Sequence, residues 1–364
     1  MNENNNAPQN ELNDDRTAAG DGLGGARRAF NIFGFAFFAM AVIEYALSYG
    51  LVFLGNRFFP EAAATEWFFW LRGSAVIYLF AMPAAWLIMR RLPRRELAEP
   101  MPDGSRCKPK KLGGYDFFIA MLMALGIMQL GNLVSVLINA IMLTASGRTS
   151  ASGLDTVMLN LNPVAIFAFV VVIGPLMEEL IFRKLIIDRL SEYGALLSAV
   201  MSAMTFGLFH GNLQQYFYAF AVGLFLAFIY IRTRNIRTTV LMHMTLNLVG
   251  GFIPSMLLRL IGGTEGLNDI IMRLSGDESD VIGALVDFMG PLMAVYAWSL
   301  TLMGLGIVGI CLLVSERKKF TFAPCRPAGT PIPRQKRGEV IFLNAGMLLF
   351  IAAMAAVLAL SFIA

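Results

Sequence analysis

The chain has 364 residues, of which 57% are hydrophobic and 15% charged, and its mean hydropathy is +0.64. That composition excludes a soluble domain of this length. A net charge of +4, with the basic residues gathered between apolar runs, reports membrane topology and contact with anionic lipid, and gives no support for nucleic-acid binding. Stretches of about 20 apolar residues recur, so the expected fold class is all-α: a polytopic membrane protein of about eight to nine transmembrane helices.

Residues 1–29 are rich in Asn, Asp, Gly and Glu and lack the apolar core of a signal peptide, which reads as a disordered cytoplasmic tail. Two leading spans follow at about 30–54 and 67–89. Glu44 and Arg72 are expected as a structural pair between them. The stretch 90–115, "RRLPRRELAEPMPDGSRCKPKKLGG" with its flank, combines Pro, Gly and positive charge and reads as a basic cytoplasmic linker. A catalytic core is expected over 116–258, with spans at about 116–145, 162–182, 194–210, 216–231 and 238–258. Gln129 and Asn132 are read there as helix-to-helix hydrogen-bonding residues. C-terminal helices over 259–364, with spans at about 288–314 and 340–363, enclose a second basic linker at 315–338.

Lys and Arg concentrate in alternate loops: 90–111, 183–189, 232–237 and 317–337. The positive-inside rule then places the N-terminus in the cytoplasm and the C-terminus outside, and the expected location is the plasma membrane. Cys107 and Cys325 fall in the linkers and Cys311 in a span, which offers neither a disulfide framework nor a paired metal motif.

The region that carries chemistry begins at "GPLMEELIFR", residues 174–183. An ionised side chain near the bilayer centre costs about 2.5–3.5 kcal/mol even on insertion scales, so two adjacent glutamates in an apolar run require compensation. Glu179 and Arg183 stand four apart on one helical face and can pair. Glu178 points about 100° away and is left as a candidate general base. The alternative is an interfacial ion cluster with Arg183, Lys184 and Arg189. Pro175 is expected to free the carbonyl of Val171 and kink the helix just before the pair.

The two histidines of the chain, His210 in "MTFGLFHGNL" and His243 in "TTVLMHMTLN", both lie in the same third of the sequence. His243 and Asn247 are one turn apart and can address one small target, a metal, a water or a developing oxyanion. Phe206, one turn before His210, reads as packing.

Together "EELIFR" (178–183), "FGLFH" (206–210) and "HMTLN" (243–247) resemble the Glu-Glu-x-x-x-Arg, Phe-x-x-x-His and His-x-x-x-Asn motifs of the CPBP family, the CAAX proteases and bacteriocin-processing enzymes that include type II CAAX prenyl endopeptidases. The resemblance implies an intramembrane endopeptidase acting on membrane-associated or lipidated, CAAX-like substrates. It implies that Glu178 and His210 activate water, that His243 and Asn247 form an oxyanion site, and that Glu179 and Arg183 orient the others. Glu178, His210 and His243 are also a plausible zinc set with water as fourth ligand; a metal-free glutamate mechanism is the other reading, and the spacing does not choose between them. A proton-coupled transporter and a non-catalytic immunity or scaffold protein are the competing classes.

Two expectations concern depth and access. Counting along the helices puts His210 near the external end of its span and His243 near the cytoplasmic end of its own, so one site requires short, tilted or re-entrant helices. Access is expected from the cytoplasmic side, past Arg183 and the "IRTRNIR" turn.

Overall fold

The computed structural model describes residues 7–94, 109, 111–146, 159–319 and 332–361. The linkers that hold Cys107 and Cys325, and the loop with Arg148, lie outside the described residues. Among those described there is no strand, because every apolar run is long enough to satisfy its own backbone hydrogen bonds as a helix, the arrangement a bilayer demands.

Helix α1 (Ala7–Phe58) begins inside the stretch expected to be a tail. Its apolar span counts from Gly22, and Ala26 and Ala29 are already buried, which corrects the tail boundary at 29. The following helices are α2 (Glu66–Met89), α3 (Gly114–Ser146), α4 (Pro163–Tyr193), α5 (Ala195–Leu208), α6 (Leu213–Thr233), α7 (Ile236–Arg259), α8 (Gly263–Leu274), α9 (Glu278–Ser315), α10 (Arg337–Phe342) and α11 (Ala345–Leu360). Seven are long and apolar enough to cross a membrane: α1, α2, α3, α4, α6, α7 and α9. The segments 334–342 and 345–360, bent by 71°, make an eighth if counted as one span.

The run expected as a span at 194–210 is a helix of 14 residues, about 21 Å long at 1.5 Å per residue. It ends well short of a hydrocarbon core of about 30 Å.

Long-range contacts fix which helix ends share a face of the molecule. On the basic side Arg94 pairs with Asp188 at 3.0 Å, Arg189 donates to the Met89 carbonyl at 2.9 Å, and Arg27 donates to the Leu343 carbonyl at 2.9 Å. On the opposite side Glu66 accepts from the Asn162 backbone at 2.8 Å and Arg259 donates to the Leu161 carbonyl.

Two clusters hold the bundle. Phe30, Phe33 and Phe37 of α1 pack with Phe182, Phe206 and Phe350 of α4, α5 and α11; Leu125, Leu226 and Met242 join α3, α6 and α7. Glycines permit the closest approaches: a Cβ at Gly131 would lie 2.4 Å from the Tyr218 Cα, and one at Gly34 would lie 2.1 Å from the Gly346 carbonyl carbon.

Candidate active site

Helix α4 does not keep one winding. It is π-helical over Phe167–Ile173, α-helical over Gly174–Glu178, and π-helical again over Glu179–Leu185. Such wide turns favour functional sites because they release backbone groups and re-aim side chains. Pro175 lacks an N–H, and the carbonyl that finds a substitute donor is that of Val170, which accepts from Asn247 Nδ2 at 2.9 Å. The expected carbonyl was Val171. The difference of one residue follows from the winding, since a π turn pairs residue 175 with 170, five back, where an α turn would pair it with 171.

Behind the glutamates lies a dry ion pair. Arg183 Nη2 stands 3.3 Å from Glu179 Oε1, both side chains fully buried. The guanidinium carbon lies 4.6 Å from the centroid of the Phe206 ring, and Nη1 reaches Ser202 Oγ at 3.4 Å. A cation against an aromatic face and a hydroxyl, with a carboxylate one turn back, offsets much of the desolvation such a pair incurs.

His243 stands between the two glutamates. Its Nδ1 is 3.0 Å from Glu179 Oε1 and its Nε2 is 3.6 Å from Glu178 Oε2. An ionised carboxylate can only accept, so Nδ1 donates to Glu179. In the neutral ring Nε2 then presents a lone pair toward Glu178. His210 is fixed in the same way: its Nδ1 faces the Phe206 carbonyl at 2.9 Å, which leaves Nε2 as the acceptor. The Phe206 ring meets both imidazoles edge to face, at 4.9 Å and 5.5 Å.

Glu178, His210, His243 and Asn247 line one cavity of about 560 Å³. Glu179 and Arg183 lie behind it. The depth mismatch resolves because α5 ends before crossing the bundle, so His210 sits in its interior. Access differs from the expectation. On α4 the lining residues run from Phe169 to Glu178, on α6 from Gln214 to Val222, and on α7 from His243 to Gly251. On α4 and α6 the set occupies the half away from the basic loops and on α7 the middle of the helix, while Glu179, Phe182 and Arg183 close the basic side. The cavity therefore extends toward the face opposite the basic loops.

A zinc centre would need Glu178, His210 and His243 to converge on one point. Among the described residues no three His, Cys, Asp or Glu side chains do so.

Four residues around the site were not expected there. Ser202 holds Arg183 and donates to the Phe182 carbonyl at 2.6 Å. Tyr78 places its hydroxyl 2.9 Å from where a Cβ on Gly174 would be, and that Cβ would lie 3.9 Å from Glu178 Oε1; the glycine makes room for the phenol. Glu44 also lines the cavity and forms no ion pair with Arg72, whose guanidinium instead lies 5.1 Å from the Phe69 ring centroid. No local pattern around Ser202, Tyr78, Gly174 or Glu44 signals this.

Fold and site define an all-α polytopic membrane protein with a buried Glu-Arg-His cluster opening on one cavity. Residues 160–249 match the family model described as type II CAAX prenyl endopeptidase Rce1-like, so the resemblance carried by the three motifs holds for the stretch that contains them. A curated Bacillus subtilis (strain 168) protein described as "Putative membrane peptidase YdiL" is 34% identical over 77 residues, which are 21% of this chain and 32% of that protein. The match thus spans about a third of the length of that relative. No solved structure matches significantly.

Proposed function

We propose that this protein is an intramembrane endopeptidase that hydrolyses peptide bonds with a glutamate-activated water. The observation that carries the reading is the placement of Glu178 of α4, His243 of α7 and His210, in the turn after α5, around one cavity, with a buried Glu179–Arg183 pair holding His243 from behind. A water beside Glu178 gives up a proton to the carboxylate as its oxygen attacks the carbonyl carbon of the peptide. The proton passes to His243 Nε2 and from there to the departing amine as the C–N bond breaks, leaving a carboxylate and a free amine. Glu179 stabilises the imidazolium that this relay creates.

Asn247 spends one N–H on the Val170 carbonyl, so its second N–H is the one available to a developing oxyanion. His210 Nε2 fixes the water from the other side. No metal enters this route; elemental analysis and chelator treatment of active protein test it, and activity that tracks bound zinc would replace it.

If the basic loops are cytoplasmic, with the N-terminus on that side, the cavity faces the external leaflet. That favours membrane peptides presented from outside over prenylated proteins presented from the cytoplasm, and leaves anionic cytoplasmic lipid to the basic loops. The decisive experiment is cleavage of a panel of membrane peptides, farnesylated and plain, by purified wild type and E178Q. Cleavage that requires Glu178 supports the reading; peptide hydrolysis unchanged in E178Q, or no hydrolysis with proton-coupled flux instead, overturns it.

A further inference from the structure

We infer that Glu44 is a substrate-specificity residue, receiving a cationic side chain, Lys or Arg, that flanks the cleaved bond; this rests on the peptidase reading above. Glu44 comes from α1, far outside the segment 160–249 that carries the family match. Its side chain nonetheless lines the same cavity as Glu178, His210 and His243. Its Oε2 is buried and has no hydrogen-bond partner.

The charges around the cavity do not balance. Arg183 is committed to Glu179, and no Lys or Arg lines the cavity that Glu44 and Glu178 share. A buried carboxylate oxygen without a partner is costly. A ligand that brings a positive charge removes that cost, and one that brings a neutral or negative group does not.

Position supports the same reading. A second pocket, of about 450 Å³, is lined by Glu44, Ser48, Asn56 and Arg72 among others. It shares Glu44 and Ser48 with the main cavity. Glu44 thus lines both the second pocket, with its polar residues, and the cavity that holds Glu178. A Lys or Arg next to the scissile bond can lay its apolar stem in the main cavity and its charged head against Glu44, as such chains do at apolar boundaries.

The test uses the full-length protein in proteoliposomes and a membrane peptide it cleaves, resynthesised with Lys, Leu or Glu at the residues flanking the cleaved bond. The expected result is a kcat/KM ratio favouring Lys over Leu that falls by about tenfold or more in E44Q, the loss of one desolvated charge pair, and that is largely kept in E44D. A uniform loss on all three peptides, or no change in the ratio, overturns the proposal. A second readout needs no turnover: binding of a fluorescent Leu-rich membrane peptide, with or without one central Lys, to E178Q and to E178Q/E44Q. Tighter binding of the Lys peptide that disappears with E44Q supports the role of Glu44 even if wild type cleaves nothing, in which case only the peptidase reading falls. Equal binding of the two peptides by E178Q overturns the Glu44 role alone.

Discussion

Glu178 and Glu179 are neighbours in sequence and opposites in situation. One faces a cavity; the other is sealed against Arg183. That division was legible from the chain, because residues four apart on a helix meet and adjacent ones diverge. What the sequence could not convey is that His243 bridges the two carboxylates, since this depends on how α7 docks on α4 and on the orientation of one ring. E178Q is therefore expected to abolish cleavage while leaving thermal unfolding in detergent unchanged, which size-exclusion and melting curves check. R183A should behave differently: it strands Glu179 in a dry interior, and breaking a buried pair in this way costs about 3–5 kcal/mol. A melting temperature equal to wild type in R183A would mean that the pair is not structural. The Glu44–Arg72 pairing failed for a simple reason. Two opposite charges on consecutive spans can pair only if both point into the same gap, and Arg72 turns to the Phe69 ring.

The identity of most helices was readable from hydropathy, but winding was not. Alternating α and π turns in α4 leave no mark in composition, and they decide that Asn247 meets Val170 rather than Val171. N247L should leave that carbonyl unpaired in an apolar setting, at a cost of about 1–3 kcal/mol. It should also slow hydrolysis, because the donor for the oxyanion goes with it. N247H or N247Q variants that recover stability without recovering turnover would separate the two effects; full turnover in N247L would remove Asn247 from the chemistry. Helix α5 shows the opposite limit of sequence reading: a largely apolar stretch of 14 residues looks like most of a span, and only the turn at Gly211, with φ of +72°, ends the helix in the interior. The α3–α6 contact depends on a glycine of another kind. G131L would drive a side chain into the Tyr218 backbone and should lower the melting temperature by prising the two helices apart.

For the molecule as a whole, the all-α membrane class followed from the sequence, and the direction of the cavity did not. Charge in loops specifies faces, yet the open side of a site depends on which helices stop short and which side chains plug the rest. With the native cysteines replaced, a cysteine at Ser135 or Gln215 should react with a polar thiol reagent applied from outside, and one at Lys184 or Arg237 from the cytoplasm only. Reversed labelling would invert the orientation; labelling of both pairs from one side would contradict the topology. The packing of α1 against the segment 334–360 has a further consequence, concerned with time. Gly346 N–H donates to Asn31 Oδ1 at 2.8 Å, and the Phe350 ring stacks on Phe209 and meets Phe33 edge to face and Phe37 at a tilt. Asn31 and Gly346 are 315 residues apart, so α1 is clasped by a segment made after those that carry Glu178, His210 and His243. Until that late segment arrives, α4, α5 and α7 can already bring Glu178, His210 and His243 together, but the wall that carries Glu44 is not yet latched. On the proposed peptidase reading, newly made protein passes through a stage in which Glu178, His210 and His243 are assembled and Glu44 is not yet held in place, so selectivity follows activity in the order of synthesis.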